Sequence, residues 1–154
     1  MNEATSAFTG GGRELIAFRV GEQEFCVDIM AVRELRGWTQ TTPLPDTPSY
    51  VRGVINLRGS VLPVIDMGAR IGFAPSETGA RNVIIVVCIA DQLVGLLVDS
   101  VCDILTVAEG GLQPAPALAF DTQQTFVTGL VTVDERMIGL LALGQLLPAV
   151  AQSA

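Results

Sequence analysis

The sequence predicts an all-β fold of two small barrels built by internal duplication, and three observations carry that prediction. Short apolar, β-branched runs recur along the chain between turn residues, at the spacing of a small closed barrel. Segments of the first half return in the second. Tyr50-Val51-Arg52-Gly53 is echoed by Phe126-Val127-Thr128-Gly129, and Glu24 to Asp28 by Leu93 to Asp99. The repeat is about seventy residues long, with about five short strands in each copy. Finally, Val83–Ile89 and Leu93–Val98 are apolar on successive residues, which demands burial on both faces of the strand. The second face belongs either to the other barrel or to a groove awaiting a partner.

Taken in order, Leu15–Val20 is expected as a strand, Gly21–Glu24 as its turn and Phe25–Asp28 as the return strand. Asp28 can cap a helical turn from Ile29 to about Arg33. Leu35–Thr42 reads as extended, and Pro43, Pro45 and Pro48 then prevent any helix. Gly53–Leu57 and Ser60–Asp66 flank Arg58-Gly59 as a hairpin, with Gly59 supplying the positive φ of a tight reversal. Pro63 lacks an N–H, so this strand is expected at a sheet edge or at a bulge. A short helical piece follows from Met67 to about Gly72, and Pro75–Ala80 has turn composition. The second half offers Asn82–Ile89, a turn at Asp91-Gln92, Leu93–Asp99 and Ser100–Val107. Glu109–Asp121 is expected as a loop. Phe126–Val133, a turn at Asp134-Glu135-Arg136 and Met137–Leu143 form a last hairpin, and Leu143–Val150 a short amphipathic close.

Composition narrows the function. A chain of 154 residues with 49% hydrophobic content has ample core material for one domain. Its longest unbroken apolar run, Val83–Ala90, is far too short to span a bilayer as a helix. Residues 1–12 are polar and small, and are expected as a flexible leader rather than a signal peptide, ahead of a domain covering 13–150. The net charge is −7, with nine arginines, no lysine and no basic stripe, which argues against nucleic acid as a partner. Histidine is absent, which removes imidazole bases, histidine–metal sites, His-dependent nucleophile systems and any phosphohistidine relay. Cys26, Cys88 and Cys102 stand singly in apolar runs and read as buried free thiols in a reducing compartment.

No catalytic or cofactor constellation emerges. Asp66 and Asp99 follow apolar strands, but a shared-proton dyad needs carboxylates related by the repeat. Asp66 aligns with Ala142 and Asp99 with Asp28, so these are read as capping or turn carboxylates. No phosphate-binding Gly-x-x-x-x-Gly-Lys is present, and no cofactor is expected. A binding module remains, with Arg33, Glu34, Arg36, Arg52 and Arg58 as candidate recognition groups, because a guanidinium can hold a carboxylate bidentately.

Glu-Leu-Arg-Gly (34–37), the stretch from Thr47 to Asp66 containing Asn-Leu-Arg-Gly, Gly-Leu-Leu-Val-Asp-Ser-Val (95–101) and Pro-Ala-Pro (114–116) resemble the CheW coupling proteins of bacterial chemotaxis. The likeness runs from about Arg13 to Leu147. It implies two intertwined five-stranded SH3-like β-barrels with short helices, divided into about 29–78 and about 13–28 plus 80–150. It implies a non-catalytic adaptor between the cytoplasmic hairpin tips of chemoreceptors and the regulatory domain of the histidine kinase CheA, working in the cytoplasm at receptor arrays. Other copies of the same adaptor are further implied partners.

By position, Arg58 falls on the family's functionally important arginine, with Glu34 as its ion-pair partner. Val32, Val101 and Ile104 fall where the family lines its receptor groove, and Arg52 and Gly95 are grouped with that face. Gly59, Val83, Gln113 and Leu118 fall on kinase-contacting surfaces. Gln113 stands where some relatives carry arginine, and Leu118 where an aromatic can occur. The other readings are an adaptor of this type in a pilus-motility or similar pathway, and an SH3-like peptide-binding module in an unrelated one.

Overall fold

A computed structural model describes residues 13–73, 79, 81–108, 111–114 and 126–146. The expected leader, the turn at 75–78 and at 80, the Ala115-Pro116 pair and the chain from 147 onward lie outside them. The described chain forms strands β1 (Arg13–Val20), β2 (Gln23–Asp28), β3 (Val32–Gly37), β4 (Val51–Leu57) and β5 (Ser60–Asp66), then helix α1 (Met67–Arg70). Strands β6 (Val83–Ile89), β7 (Gln92–Val98), β8 (Ser100–Val107), β9 (Leu112–Pro114), β10 (Val127–Val133) and β11 (Arg136–Leu141) follow.

The strands make two sheets, ordered β8-β1-β2-β11-β10-β9 and β3-β6-β7-β5-β4. The two orders are the same pattern applied to swapped copies. Hairpin β1–β2 of the first repeat joins the later strands of the second, and hairpin β6–β7 joins β3, β4 and β5. The halves are therefore intertwined as expected. The boundary near residue 80 needs correction, however: β6 and β7 share a sheet with β3–β5, and the chain changes sheets between Val98 and Ser100. One sheet also gains a sixth strand, because β9 forms within the expected loop and pairs with β10.

Local details repeat with the pattern. β5 lies parallel to β7 and β11 parallel to β2. Asp66 N donates to Tyr50 O and Ala142 N to Phe126 O, both at 2.7 Å. Register shifts fall at Val51/Gly53 and at Val127/Gly129, placing bulges at Arg52 and Thr128. Thr42 bridges Val54 much as Gln113 of β9 opposes Leu130.

Alternation explains the continuous apolar runs. Ile84 and Val86 point into one barrel with Leu62, Val64 and Leu97. Ile85, Val87 and Ile89 point the other way, into a seam core shared with Ile16, Phe18, Val27, Leu96 and Val98. β1 does the same, with Leu15 and Ala17 inside its own barrel and Ile16, Phe18 and Val20 in the seam. The second face of these strands is the other barrel.

Several expectations change in detail. Pro63 lies neither on an edge strand nor at a bulge, since β5 sits between β4 and β7. Val54 exchanges hydrogen bonds with Thr42, so its backbone turns away from β5, and its partner Pro63 turns away from β4 toward β7. The β7 ladder begins one residue later, at Val64, so the missing N–H leaves no gap. The Arg58-Gly59 turn has positive φ at both residues, 50° and 89°, not at glycine alone. Ala90-Asp91 and Asp134-Glu135 make the same two-residue reversal without glycine. The cysteines divide: Cys26 is buried, with its thiol pushed up to about 12 by loss of water, whereas Cys88 is half-buried and Cys102 exposed at a bulge in β8.

Asp28 and Asp66 act as caps, as expected. Asp28 accepts from Met30 N at the short 3-10 turn Ile29–Ala31, and Asp66 from Ala69 N at α1. Gly53, at φ 142°, lies against the crossing chain, where a Cβ would stand 2.3 Å from Thr42 O. Gly53→Ala is expected to lower unfolding stability by about 2–4 kcal/mol, because backbone cannot yield as a side chain can. Urea denaturation followed by Trp38 fluorescence checks this; a loss under about 1 kcal/mol would contradict it.

Candidate binding face

The hairpin β4–β5 is organised from its own residues outward. Asn56 Oδ1 accepts from Gly59 N at 3.0 Å, bracing the tip. Arg58 is thereby held on a short, rigid reversal with its side chain 71% exposed. Its Nη2 donates to Glu34 Oε1 at 2.5 Å, linking the tip to β3 on the opposite edge of the same sheet. The predicted pair is present.

A second arginine completes it. Arg36 Nη1 donates to the other carboxylate oxygen of Glu34 at 3.1 Å. Residues two apart on a strand share a face, so the Glu34-Leu35-Arg36 spacing was the available signal. Hydrogen bonds from Arg58 and then Arg36 hold the Glu34 carboxyl below its ordinary value. The same contact raises Arg58.

The remaining predicted residues are spread over both sheets. Val32 on β3 and Val101 on β8 are half-buried and pack against the seam core, one on an edge strand of each sheet. Ile104 on β8 is 57% exposed. Val83 opens β6, half-buried against the seam core, while Gly59 and Gln113 are exposed at the hairpin tip and on β9. Leu118 lies outside the described residues.

One assignment to the receptor face, Gly95, is corrected, and another residue grouped with it, Arg52, also has a part in the frame. Gly95 is buried inside the barrel, where a Cβ would meet Ile84 Cγ2 at 2.8 Å, so its smallness serves packing. Arg52 turns its guanidinium on Asp66, which is 2% exposed, at 2.9 Å. That contact secures the carboxylate capping α1.

Sequence reading also missed Arg70. Its guanidinium lies 4.4 Å from the Tyr50 ring centre and 4.6 Å from that of Phe126. It donates to Leu146 O and Gln145 O, and so ties the two repeats to the closing 3-10 turn Leu143–Gln145. The echo of Tyr50 in Phe126 was legible, but a cation between them was not.

Among the described residues no group of His, Cys, Asp and Glu side chains could hold a metal, and no helix is long and apolar enough to cross a membrane. The architecture is that of a double-barrel binding scaffold, with charged and apolar surface presented on rigid ladders.

Comparison with known proteins narrows that class. The family model for the CheW-like domain matches residues 14–151. "Chemotaxis protein CheW" of Rhizobium meliloti is 53% identical over 154 residues, 100% of this chain and 99% of that one. "Probable chemotaxis protein CheW" of Rhizobium etli is 52% identical over 93% of this chain and 92% of that one. The crystal structure of scaffolding protein TtCheW from Thermoanaerobacter tengcongensis superposes with a TM-score of 0.82 at 32% identity, covering 87% of this chain and 91% of that one. The chain belongs to the CheW family.

The lowered Glu34 carboxyl sets a pH dependence. Its contribution to stability is present above the unfolded value near 4.5 and is lost as pH falls through the lower folded value. Carboxyl-detected NMR should find Glu34 titrating below the ordinary glutamate range, and Arg58→Ala should move it upward. Titration unchanged in Arg58→Ala would show that the pair does not form in solution.

Proposed function

We propose that this protein is a non-catalytic adaptor that joins the cytoplasmic tips of chemoreceptors to the regulatory domain of the histidine kinase CheA, in the cytoplasm at receptor arrays. The observation that carries the reading is Arg58, exposed on a braced hairpin and oriented by Glu34, in a chain of the CheW family. On this reading Val32, Val101 and Ile104, with Glu34 and Arg58, take the receptor's tip helix in an apolar groove rimmed by charge. Gly59, Val83, Gln113 and Leu118 take the kinase. A further copy of the chain is a third partner of the same surfaces.

The mechanism is one of linked equilibria. Holding two partners together raises their effective concentration, so modest contacts can sustain an assembly. A receptor can then bias the kinase only by contacting the adaptor differently in its two signalling states. A hairpin that does not deform transmits such a difference better than a mobile loop.

The test is co-sedimentation of the purified chain with receptor signalling fragments and CheA, read with kinase activity. Arg58→Ala is expected to weaken receptor-dependent kinase control about tenfold, with the thermal midpoint lowered by no more than about 3 °C. Arg58→Glu is expected to be worse, because it sets like charge against Glu34. Wild-type coupling by Arg58→Ala would refute the role given to this arginine.

A further inference from the structure

The barrel of β3–β7 is incompletely closed. β3 and β4 are the two edges of its sheet, and the chain leaving β3 meets β4 at one rung, Thr42 with Val54, by two reciprocal backbone hydrogen bonds of 2.9 Å. The next antiparallel rung would join Gln40 to Asn56. Among the described residues no such bridge forms, and a pocket of about 310 Å³ opens there instead, lined by Arg36, Gln40, Asn56 and Val61 among others.

Five features of the slot bear on what it can hold. Val54 turns its backbone outward to Thr42, so Asn56, two residues along, turns its N–H and C=O to the same open edge. Such an edge accepts an added strand. Arg36 Nε is buried without a hydrogen-bond partner among the described residues, even though Nη1 of the same side chain is engaged by Glu34. A buried charged donor left without an acceptor is costly, and turning the Arg36 side chain, which lines the slot, onto an arriving carboxylate relieves it. Arg36 is the one charged residue in the lining, so the charge of the slot is positive. The lining includes no aromatic side chain, and a polyproline segment would have nothing to stack on. Val61, 65% exposed, offers one apolar contact at the mouth.

We propose that this slot is a binding site for an extended, acidic peptide segment, which adds a rung to β4 at Asn56 and sets its carboxylate on Arg36. The site lies on the open side of one barrel, between its two edge strands. It does not depend on the seam groove invoked for the receptor tip.

The test is NMR titration of the full-length, nitrogen-15-labelled protein with the blocked peptide acetyl-Thr-Val-Glu-Val-Thr-amide, and with its counterpart carrying glutamine in place of glutamate. The glutamate peptide should move the signals of Arg36 Nε–H and of the Gln40, Asn56 and Val61 amides along saturable curves. The glutamine peptide, and the glutamate peptide with Arg36→Gln, should each bind about tenfold more weakly. Equal affinity of the two peptides for the wild-type protein would overturn the proposal, as would stationary signals at these residues in millimolar peptide. The comparison of peptides needs no variant, so a folding defect in Arg36→Gln leaves it decisive. Because neither receptor nor kinase is present, its failure is distinct from failure of the coupling experiment.

Discussion

The structure depends on two hairpins that are apolar on both faces. β1–β2 and β6–β7 each place alternate residues inside a barrel and the intervening ones in the seam. Apolar surface of that kind cannot be left in water at the rim of a lone barrel. The two hairpins therefore lie back to back, and each completes the barrel of the opposite repeat. Neither barrel is built from one repeat alone. Pulling the repeats apart would expose Ile85, Val87, Leu96 and Val98 together with Ile16 and Phe18.

That constraint leaves the outer hairpins free to serve as recognition elements. β4–β5 is anchored at its base by the Arg52–Asp66 pair and the parallel ladder to β7, and braced at its tip by Asn56. The energetic cost of ordering Arg58 is then largely met by folding and need not be met again on binding. Glu34 tethers the tip to the far edge of the sheet, which turns an open pair of edges into a charged rim. The corresponding turn of the second repeat presents Asp134 and Glu135 instead, so the two barrels carry opposite charge at equivalent tips. Duplication supplied the frame, and the turn residues made its ends different.

Much of this was legible in the residues. The echo of Tyr50-Val51-Arg52-Gly53 in Phe126-Val127-Thr128-Gly129 revealed the duplication, and each copy turned out to hold a bulge and a close-crossing glycine. Asp28 and Asp66 announced their caps because a short acceptor before a helical turn has a local job to do. What stayed hidden was contact between residues far apart in the chain. Pro63 implied an edge, yet the β7 ladder begins one residue beyond it. Gly95 sat in a motif shared with binding residues, yet its constraint is the methyl of Ile84. Arg52 offered itself for recognition, and only the bulge brings it over Asp66.

The sequence by itself determined the strands, their tight turns, the duplication and the need for burial on both faces, because each follows from neighbours a few residues apart or from composition. Tertiary structure alone decided that the repeats exchange hairpins, that Gly95 and Arg52 serve the frame, and that Arg36 joins Arg58 on one carboxylate. Those outcomes rest on which strand edges meet. Hydrogen-bonding edges are alike along every strand, so pairing is settled by the cooperative burial of side chains that no local stretch contains.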